Sequence, residues 1–496
     1  MENRFNLIDE AWIPVADVGR VSLAQLFARP DLRALGGTPL QKIAVMKLLL
    51  AIAQAAATPS DEAEWRALDG RGLAERCLGY LWRWYDRFYL YGERPFLQMP
   101  AIAAAAIQGY AALAPEVAAG NSTLLFQSQI PQRPDDGDKA LLLLCQMGLA
   151  LGGKKTDNTV VLSPGYRGKV NDKGKTASAR PGPALGHRGL LHSFVLGETL
   201  LQTLHLNVWT GTDIFDAGSY PGGLGTPPWE RMPRGEDCPV ARALRHSLMG
   251  RLLPLSRFCL LREEGLHYSE GIVHPDYRAG GVDPSVALDR SGATLRAVWA
   301  SPQRRPWREL PSLLGFLADG NARSDCPQLR IALSRLGGRA VRCALWSGGL
   351  RVSYRAGEQY VSAGDDYVES VLWLDGRTLD ASGFDCLCRE LDALGGLGHA
   401  LYGGVAGFYQ VQGADGRERA ARACQLFWQL CERDVPSLLG HCGAGAQAQR
   451  QLLRRRFASH VHHAFDQLCS HDTARQLDAW VRRRPDMGAY QCAEAV

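Results

Sequence analysis

Hydrophobic residues occupy nearly every position of the segment Leu40–Ala57, which predicts a helix that is buried on all of its faces. Leu73–Tyr85 is a second predicted helix. Ala140–Leu151 is a third predicted helix, which is apolar, and we expect Gly152 and Gly153 to end it. These segments indicate an N-terminal region with a substantial core.

Shorter alternating runs, which are typical of strands and turns, occupy residues 1–28 and parts of the middle of the chain. Pro14 argues against a central strand near the N-terminus. Val341–Leu345 and Tyr367–Leu374 are strand-like. The alternation between them predicts a hairpin whose turn lies at Ala356-Gly357.

From about residue 380 the apolar positions follow a helical period. We expect a first helix that is capped by Ser382 and ended by Gly395-Gly396, followed by three more helices. The apolar faces of the first three are Phe384, Leu387, Cys388, Leu391; Cys424, Phe427, Trp428, Cys431; and Phe457, Val461, Phe465, Leu468, and the fourth helix is Ala474–Val481. The sequence predicts an α+β fold: a large mixed domain over residues 1–375, with small sheets and long loops, and a C-terminal four-helix bundle over residues 380–496.

The composition is typical of a globular protein of the cytoplasm. The 496 residues allow two to four domains, and the hydrophobic content of 46% is too high for disorder. The longest apolar segments are shorter than the roughly 20 residues of a membrane span, and no apolar stretch follows the N-terminus as it would in a signal peptide. We expect no contact with a membrane, and we expect the 13 cysteines to be reduced thiols.

Positive charge is concentrated in one glycine-rich segment. The net charge of the chain is +5, whereas residues 152–188 alone carry +6. The basic residues of this segment are Lys154, Lys155, Arg167, Lys169, Lys173, Lys175, Arg180 and Arg188. A basic stripe of this kind is typical of phosphate binding, and the alternative is a solvated loop that binds no ligand.

An aromatic run offers a second place where nucleic acid could bind, by stacking of bases. We expect instead a core with an aromatic rim, because the run carries little positive charge. Its members are Trp82, Trp84, Tyr85, Phe88, Tyr89 and Tyr91.

Catalytic and metal-binding motifs are weak in this sequence. Gly148, Gly153 and Lys154 have the spacing of a P-loop, but Lys155 stands where that motif needs Ser or Thr, and a predicted helix precedes the glycines. We therefore predict a nucleic-acid-binding protein without catalytic residue, metal or cofactor, with a nucleotide-dependent enzyme as the weaker alternative. A C-terminal group of residues lacks the spacing of zinc ligands: His460, His462, His463, Cys469 and His471.

Five segments resemble segments of one known family, in the same order along the chain. They are Asn6–Val15, Asp86–Leu90, Pro95–Gln98, Leu201–Asn207 and Trp307–Leu310. The family is that of CasA, the large subunit of the type I-E CRISPR surveillance complex (Cascade). The similarity extends over the whole chain and is most specific in its first hundred residues.

The resemblance implies a non-catalytic subunit that recognises the protospacer-adjacent motif (PAM) in duplex DNA from the minor-groove side. Such a subunit opens the duplex so that the guide RNA can pair and form an R-loop, and it helps to recruit the helicase–nuclease. The implied partners are the crRNA, target double-stranded DNA, the backbone and small subunits of Cascade, and the helicase–nuclease. Minor-groove edges carry a degenerate code, so a few backbone and side-chain contacts can accept several related motifs.

The resemblance also assigns roles to particular residues. The family's glycine loop corresponds to Gly152, Gly153, Lys154 and Lys155, and its glutamine-bearing hairpin turn corresponds to Gly357 and Gln359. Its loop that meets the 5′ end of the guide RNA and a neighbouring subunit corresponds to Leu125, Phe126, Gln127 and Ser128. The rest of the basic segment, residues 167–188, is left as an arm for phosphates, and its candidate contacts are Arg167, Lys169, Lys173, Lys175 and Arg180.

One family feature has no counterpart. The lysine that enters the minor groove should lie within residues 260–271, where Arg262 is the only lysine or arginine and two glutamates follow it. Either the PAM preference differs, or the glycine-loop lysines supply that charge. An RNA- and protein-binding scaffold subunit that reads no DNA motif is the alternative function.

Overall fold

The computed structural model describes residues 2–114, 133–149, 156–164, 166, 187, 189–318, 323–336, 342–355, 358–360, 366–375, 380–443 and 445–492. The chain divides into two units. The N-terminal unit is Met1–Pro306, Ser324–Arg335 and Cys343–Val371, and the C-terminal unit is Trp307–Arg323, Leu336–Arg342 and Leu372–Val496.

The α-helices of the described residues are α1 Leu23–Ala28, α2 Pro39–Ala57, α3 Glu62–Ala67, α4 Gly70–Arg83, α5 Tyr110–Leu113, α6 Asp136–Gly148, α7 Leu200–Asn207, α8 Gly211–Asp216, α9 Pro239–Arg245, α10 Met249–Leu252, α11 Leu310–Leu313, α12 Pro327–Ser334, α13 Ala381–Val411, α14 Arg417–Glu432, α15 Val435–His441, α16 Gln447–Leu468, α17 Ala474–Arg483 and α18 Gly488–Cys492. Short 3-10 helices lie at Tyr85–Arg87, Pro100–Ile102, Tyr277–Ala279, Pro306–Glu309 and Gly315–Leu317.

The strands are β1 Arg4–Asn6, β2 Ile13–Val15, β3 Gly19–Val21, β4 Tyr89–Tyr91, β5 Ile107–Gly109, β6 His192–Leu196, β7 Arg257–Leu261, β8 Gly265–Glu270, β9 Leu288–Asp289, β10 Arg296–Ala297, β11 Ser324–Asp325, β12 Arg342–Leu350, β13 Ser353–Arg355, β14 Glu358–Tyr360 and β15 Tyr367–Asp375. Within the described residues they form small separate sheets, in the orders β1-β4, β2-β3, β5-β8-β7, β10-β9-β11, β15-β12-β6 and β13-β14. Small sheets beside many helices confirm the predicted α+β class.

Helix α2 confirms the buried helix that was predicted at Leu40–Ala57. Thr38 and Gln41 form a capping box, in which each side chain accepts a hydrogen bond from the other residue's backbone N–H, and Pro39 occupies the first turn. The helix is apolar all round because α4, α6 and α7 pack against it. Among the described residues α2 is also the one helix long and apolar enough to span a membrane, and most of it is buried inside the protein.

The predicted start and end of the second helix are wrong. Helix α4 covers Gly70–Arg83 rather than Leu73–Tyr85. It begins earlier because the Asp69 carboxylate caps it and accepts a hydrogen bond from the Gly72 N–H at 2.7 Å. In the aromatic run, which begins in the last turn of α4, Phe88 is buried and Trp82 is 53% exposed, in agreement with a core that has an aromatic rim.

The third helix was also placed wrongly, since α6 covers Asp136–Gly148 rather than Ala140–Leu151. Asp135 caps it by accepting a hydrogen bond from the Asp138 N–H, and the carboxylates of the first turn favour the helix N-terminus. Leu149 has left the helical conformation, so the helix ends before the glycines that were expected to end it.

Strands β7 and β8 form an antiparallel pair in which Arg257 lies opposite Glu270. Strand β5 adds to the other edge of β8, where Gly109 lies opposite Gly265. A Cβ atom on Gly265 would lie only 2.3 Å from the carbonyl oxygen of Gln108. Glycine is therefore required for β5 to come this close.

The hairpin that was predicted between the two strand-like segments is confirmed. Strands β13 and β14 pair antiparallel, with Tyr354 opposite Gln359. Residues 356 and 357, where the turn was predicted, lie outside the described residues. The flanking strands are longer than predicted, because β12 extends to Leu350 and β15 to Asp375.

The C-terminal region is helical, as predicted, and α13, α14, α16 and α17 are its main helices. The cap assigned to Ser382 is wrong, because the Asp380 carboxylate accepts the hydrogen bond from the Gly383 N–H at 2.7 Å. The predicted end at Gly395-Gly396 is also wrong, because α13 continues to Val411.

The apolar period of α13 continues past the two glycines through buried Leu394, Leu397 and Leu401. A glycine inside a helix costs about 1 kcal/mol relative to alanine, which the burial of leucines on both sides outweighs. Close packing explains the glycine at position 404, since a Cβ there would lie 2.8 Å from the carbonyl oxygen of Arg483 at the end of α17.

Candidate nucleic-acid interface

Of the residues that we predict to bind nucleic acid, with Arg262 as the one cation where the family has its groove lysine, the structure describes Arg262 and the backbone of Gln359. The others lie outside the described residues: Gly152, Gly153, Lys154, Lys155, Gly357, Arg167, Lys169, Lys173, Lys175, Arg180, Leu125, Phe126, Gln127 and Ser128. Described residues flank these segments, and they show where the ends of the segments lie.

Residues 150–155, which contain the glycine loop, leave from and return to the neighbourhood of β7 and β8. Leu149 is 1% exposed, and nearby the Met147 carbonyl accepts a hydrogen bond from the Ser256 N–H, directly before β7. After the segment, the Asp157 N–H donates to the Tyr268 carbonyl of β8 at 2.9 Å. Both ends are therefore fixed to the same pair of strands.

The Asp157 side chain fixes the second of these ends. One carboxylate oxygen accepts a hydrogen bond from the Ala106 N–H at 2.7 Å, and the other accepts from the N–H and hydroxyl of Thr159. This acidic residue of the basic segment thus stabilises a turn, as aspartates commonly do at loop starts.

Arg262 lies in the turn between β7 and β8. Its Nε–H donates to Nε2 of His267 at 3.2 Å, and Nδ1 of His267 lies 2.7 Å from the Ala105 carbonyl. Because a carbonyl can only accept, Nδ1 carries the proton and Nε2 is the acceptor for Arg262. The imidazole therefore orients the guanidinium.

This turn is at the far end of β8 from the glycine-loop anchor. Asp157 bridges to Ser269, which is four residues along the strand from Gly265, or about 13 Å. The Tyr110 hydroxyl holds the turn by donating to the Arg262 carbonyl. Burial, with the nearby charge of Asp136, raises the pKa of Tyr110, so the hydroxyl keeps its proton.

The chain between the glycine loop and the basic arm is fastened to Glu236. This side chain is completely buried, and its carboxylate accepts hydrogen bonds from the N–H groups of Leu162 and Ser163, the latter at 2.8 Å. The Ser163 hydroxyl accepts in return from the Asp237 N–H at 2.9 Å. Hydrogen bonds to a carboxylate are stronger than those between neutral groups, so this contact fixes residues 162–163 firmly.

Tyr166 is the last described residue before the basic arm. Its hydroxyl donates to the Glu270 carboxylate at 2.8 Å. Burial raises the pKa of Tyr166, and the negative charge of Glu270 raises it further, so the hydroxyl remains a donor. The arm therefore begins at the end of β8 where Arg257 and Glu270 lie opposite each other.

The arm ends beside a different sheet. His187 is 1% exposed, and its Nδ1 accepts a hydrogen bond from the Gly189 N–H at 3.1 Å. The Gly189 carbonyl accepts from the Ala300 N–H at 2.8 Å. His187 also meets Trp299 ring edge to ring face, with 5.2 Å between ring centroids.

The end of the arm and the base of the hairpin lie next to each other. A Cβ atom on Gly189 would lie 3.1 Å from Cβ of Val352, the residue directly before β13. Arg351 is fixed there by Asp366, whose carboxylate lies 2.5 Å from its guanidinium. The fold thus brings together segments that are more than 150 residues apart in the chain.

The described residues give little support to metal or nucleotide chemistry. No group of three metal-ligating side chains occurs among them. The cysteines with described side chains are free thiols, and most are buried. The first glycine of the P-loop spacing, Gly148, is the last residue of helix α6, whereas a P-loop follows a strand.

Sequence reasoning missed the residues that hold the ends of these segments. Glu236 lies in a glycine- and proline-rich stretch that has no periodic pattern, and His267 lies in a strand of ordinary composition. Their partners are about 70 and 160 residues away, at Ser163 and Ala105. A signal of that range does not exist in a single sequence.

A family model described as "CRISPR-associated protein Cse1" matches residues 6–468. A CasA/Cse1 protein of Thermus thermophilus is 31% identical over 336 residues, which cover 63% of this chain and 60% of that relative. The aligned part thus spans less than two thirds of the relative's length.

Solved structures show the same fold over almost the whole chain. Thermobifida fusca Cse1 superposes with a TM-score of 0.76 at 21% identity, covering 98% of this chain and 95% of that one. CasA of Thermus thermophilus gives 0.75 at 21%, covering 98% and 99%. A chain of a structure named "CRISPR RNA-guided surveillance complex" gives 0.71 at 17%, covering 97% and 98%. The resemblance found in the sequence is therefore confirmed, and the chain belongs to the CRISPR-associated Cse1 family, also called CasA.

Proposed function

We propose that this protein is the non-catalytic subunit that recognises the PAM in target double-stranded DNA within a type I-E Cascade of the cytoplasm. It would bind the motif from the minor-groove side, promote local opening of the duplex and R-loop formation, and help to recruit the helicase–nuclease. Its other partners would be the crRNA and the backbone and small subunits of the complex.

The roles of the assigned residues follow from their chemistry. Gly152 and Gly153 would let the backbone approach the groove, and Lys154 and Lys155 would contact phosphates or groove edges. Gln359 would act at the point of strand separation. The residues from Arg167 to Arg180 would contribute charge along the phosphate backbone, and Leu125–Ser128 would contact the guide and a neighbouring subunit.

One observation carries the proposal: the end of the basic arm at Gly189 lies against Val352 at the base of the β13–β14 hairpin. A basic segment beside a hairpin is suited to hold the phosphates of a duplex while the hairpin separates one base-pair step. Opening a base-pair step costs on the order of 1.4 kcal/mol of stacking. The free energy of R-loop formation is close to zero, so a modest protein contact is enough to favour the open state.

The test is binding of the reconstituted complex to duplexes with and without candidate motifs, over a series of salt concentrations. Each phosphate contact contributes about 0.9 to the slope of log affinity against log salt. We expect Lys154→Ala with Lys155→Ala to weaken binding and to reduce that slope by up to about 2. Arg71→Ala is the control, since this arginine is 87% exposed and lies on α4.

Gln359→Ala should leave initial binding largely intact and reduce opening of the duplex, measured by permanganate reactivity of thymines beside the motif. An unchanged affinity and salt slope in the double lysine variant would exclude the glycine loop as a DNA contact. Equal binding to every duplex would instead favour the scaffold function. ATP turnover by the pure chain would favour the nucleotide-dependent enzyme.

A further inference from the structure

Trp299 is an exposed tryptophan within a buried stretch of the N-terminal unit. Its neighbours Val298 and Ala300 are 8% and 5% exposed, whereas Trp299 is 43% exposed. The backbone around it is held by hydrogen bonds, from the Ala300 N–H to the Gly189 carbonyl and from the Leu191 N–H to the Val298 carbonyl. The fold therefore presents this indole to solvent on a fixed backbone.

The indole is also restrained on one side. The ring of His187 lies 5.2 Å away at 84°, which is a T-shaped contact. In such a pair the imidazole edge meets one indole face, or the indole edge meets the imidazole face. In both arrangements at least one face of the indole is not covered by His187.

The position of the indole relates it to nucleic acid. His187 lies at the end of the basic segment 152–188, and Gly189 packs against Val352 at the base of the β13–β14 hairpin. Arg296, three residues before Trp299, is also exposed. An exposed aromatic ring in a protein with a basic segment is the combination that binds unpaired bases, because every base has a face that stacks and every nucleotide carries a negative phosphate.

We propose that Trp299 stacks on a base of the target DNA that becomes unpaired where the duplex is opened. This inference rests on the proposed function and adds a named contact to it: the hairpin would separate the pair, and the indole would hold one of the freed bases. A polyanionic strand is the occupant favoured by the +6 charge of residues 152–188.

The experiment uses the reconstituted complex with its guide and two duplexes. One duplex is fully paired, and the other carries a mismatch directly beside the motif, with 2-aminopurine at the unpaired position. Stacking on tryptophan quenches the fluorescence of 2-aminopurine. Alanine substitution of a stacking aromatic weakens binding by about 5- to 150-fold.

We expect Trp299→Ala to weaken binding to the mismatched duplex within that range and to lose most of the quenching. The salt slope should stay as in the unaltered protein, because stacking releases no counterions. Trp299→Phe should recover part of both. Trp82→Ala is the matched control, because Trp82 is 53% exposed and stacks on Tyr85.

The outcomes separate the two proposals. If the unaltered complex binds neither duplex, the proposed function and the stacking contact both fail. If it binds and opens DNA while Trp299→Ala matches Trp82→Ala in affinity and quenching, the stacking contact alone is overturned. If Trp299→Ala impairs assembly of the complex and not the DNA affinity of the assembled form, the indole contacts a protein subunit, which also overturns it.

Discussion

Lys47 of α2 and Asp283 form an ion pair in the interior of the N-terminal unit, where their side chains are 5% and 0% exposed. The other carboxylate oxygen of Asp283 accepts hydrogen bonds from the N–H and hydroxyl of Ser285. Burial alone would raise the pKa of Asp283, but the charge of Lys47 and these hydrogen bonds lower it, so the carboxylate stays ionised. The pair fastens the central helix to the segment that leads into β9.

We expect Asp283→Asn or Lys47→Met to destabilise the protein by about 3–5 kcal/mol, because each leaves one buried charge without its partner. The double variant should recover much of this loss, since it removes both charges. Thermal or denaturant unfolding measures the difference as a double-mutant cycle. Additive losses would contradict an energetic coupling of the pair.

The control for this cycle is the exposed pair of Arg71 and Glu75, whose side chains are 87% and 67% exposed. Arg71→Met should change the free energy of unfolding by less than about 1 kcal/mol, because water screens the charges and the side chains lose entropy on pairing.

Two buried histidines make stability depend on pH. Burial, helped by the charge of Lys47, lowers the pKa of His192 to about 3, and burial lowers that of His274 to about 3 as well. The unfolded chain takes up these protons below about pH 6.5, whereas the folded protein does so only near pH 3. The contribution of both histidines to the free energy of unfolding is therefore fully present above about pH 6.5, and it is lost as the pH falls toward 3.

We expect each histidine to contribute a slope of up to about 1.4 kcal/mol per pH unit in that window. His192→Gln should reduce the pH dependence of the unfolding midpoint between pH 7 and 4, even where it lowers stability overall. The exposed His463 serves as the control, and His463→Gln should leave the pH dependence unchanged. An unaltered slope in His192→Gln would contradict this account.

Glu236→Gln should loosen the segment that joins the glycine loop to the basic arm. It removes the charge that strengthens two hydrogen bonds to backbone N–H groups, a loss of about 1–2 kcal/mol. We expect faster hydrogen exchange at Leu162 and Ser163, and weaker DNA binding with an unchanged salt slope, because no cation is removed. Glu198→Gln, at an exposed position, is the control.

Exchange at Leu162 and Ser163 that is as slow in Glu236→Gln as in the unaltered protein would show that the carboxylate does not hold this segment. Faster exchange with unchanged DNA affinity would show that the segment is held by Glu236 but that its order does not matter for DNA binding.

The glycines of α13 should respond differently to alanine. Apart from the backbone of α13 itself, no atom lies within 4 Å of a Cβ placed on Gly395 or Gly396, so alanine there should stabilise the C-terminal unit by roughly 0.5–1 kcal/mol. Gly404→Ala should destabilise it, because its Cβ would press on the Arg483 carbonyl. Unfolding midpoints of the three variants measure this. A stabilising Gly404→Ala would mean that α17 shifts to accommodate the methyl group.

Much of the architecture depends on local pattern and could be predicted. The apolar circumference of α2, the alternation that forms the β13–β14 hairpin, and the helical period after residue 380 are each contained within one short stretch. The family could also be identified, because its segments occur in order. The concentration of charge in residues 152–188 is likewise a property of the sequence alone.

The helix ends and the surroundings of the proposed interface depended on tertiary structure. Asp69, Asp135 and Asp380 set the starts of helices before the apolar pattern begins, and α13 passes through two glycines because leucines on both sides are buried. The end of a helix is set by single hydrogen bonds, and the periodicity of hydrophobic residues does not show where these form.

The sequence by itself determined which elements form, which family the chain belongs to and where its charge lies. Only the tertiary structure showed that Glu236 accepts a hydrogen bond from Ser163. It also showed that Gly189 packs against Val352, beside an exposed Trp299. The physical reason is range: secondary structure reflects neighbours within a few residues, whereas these contacts join positions from 73 to more than 160 residues apart.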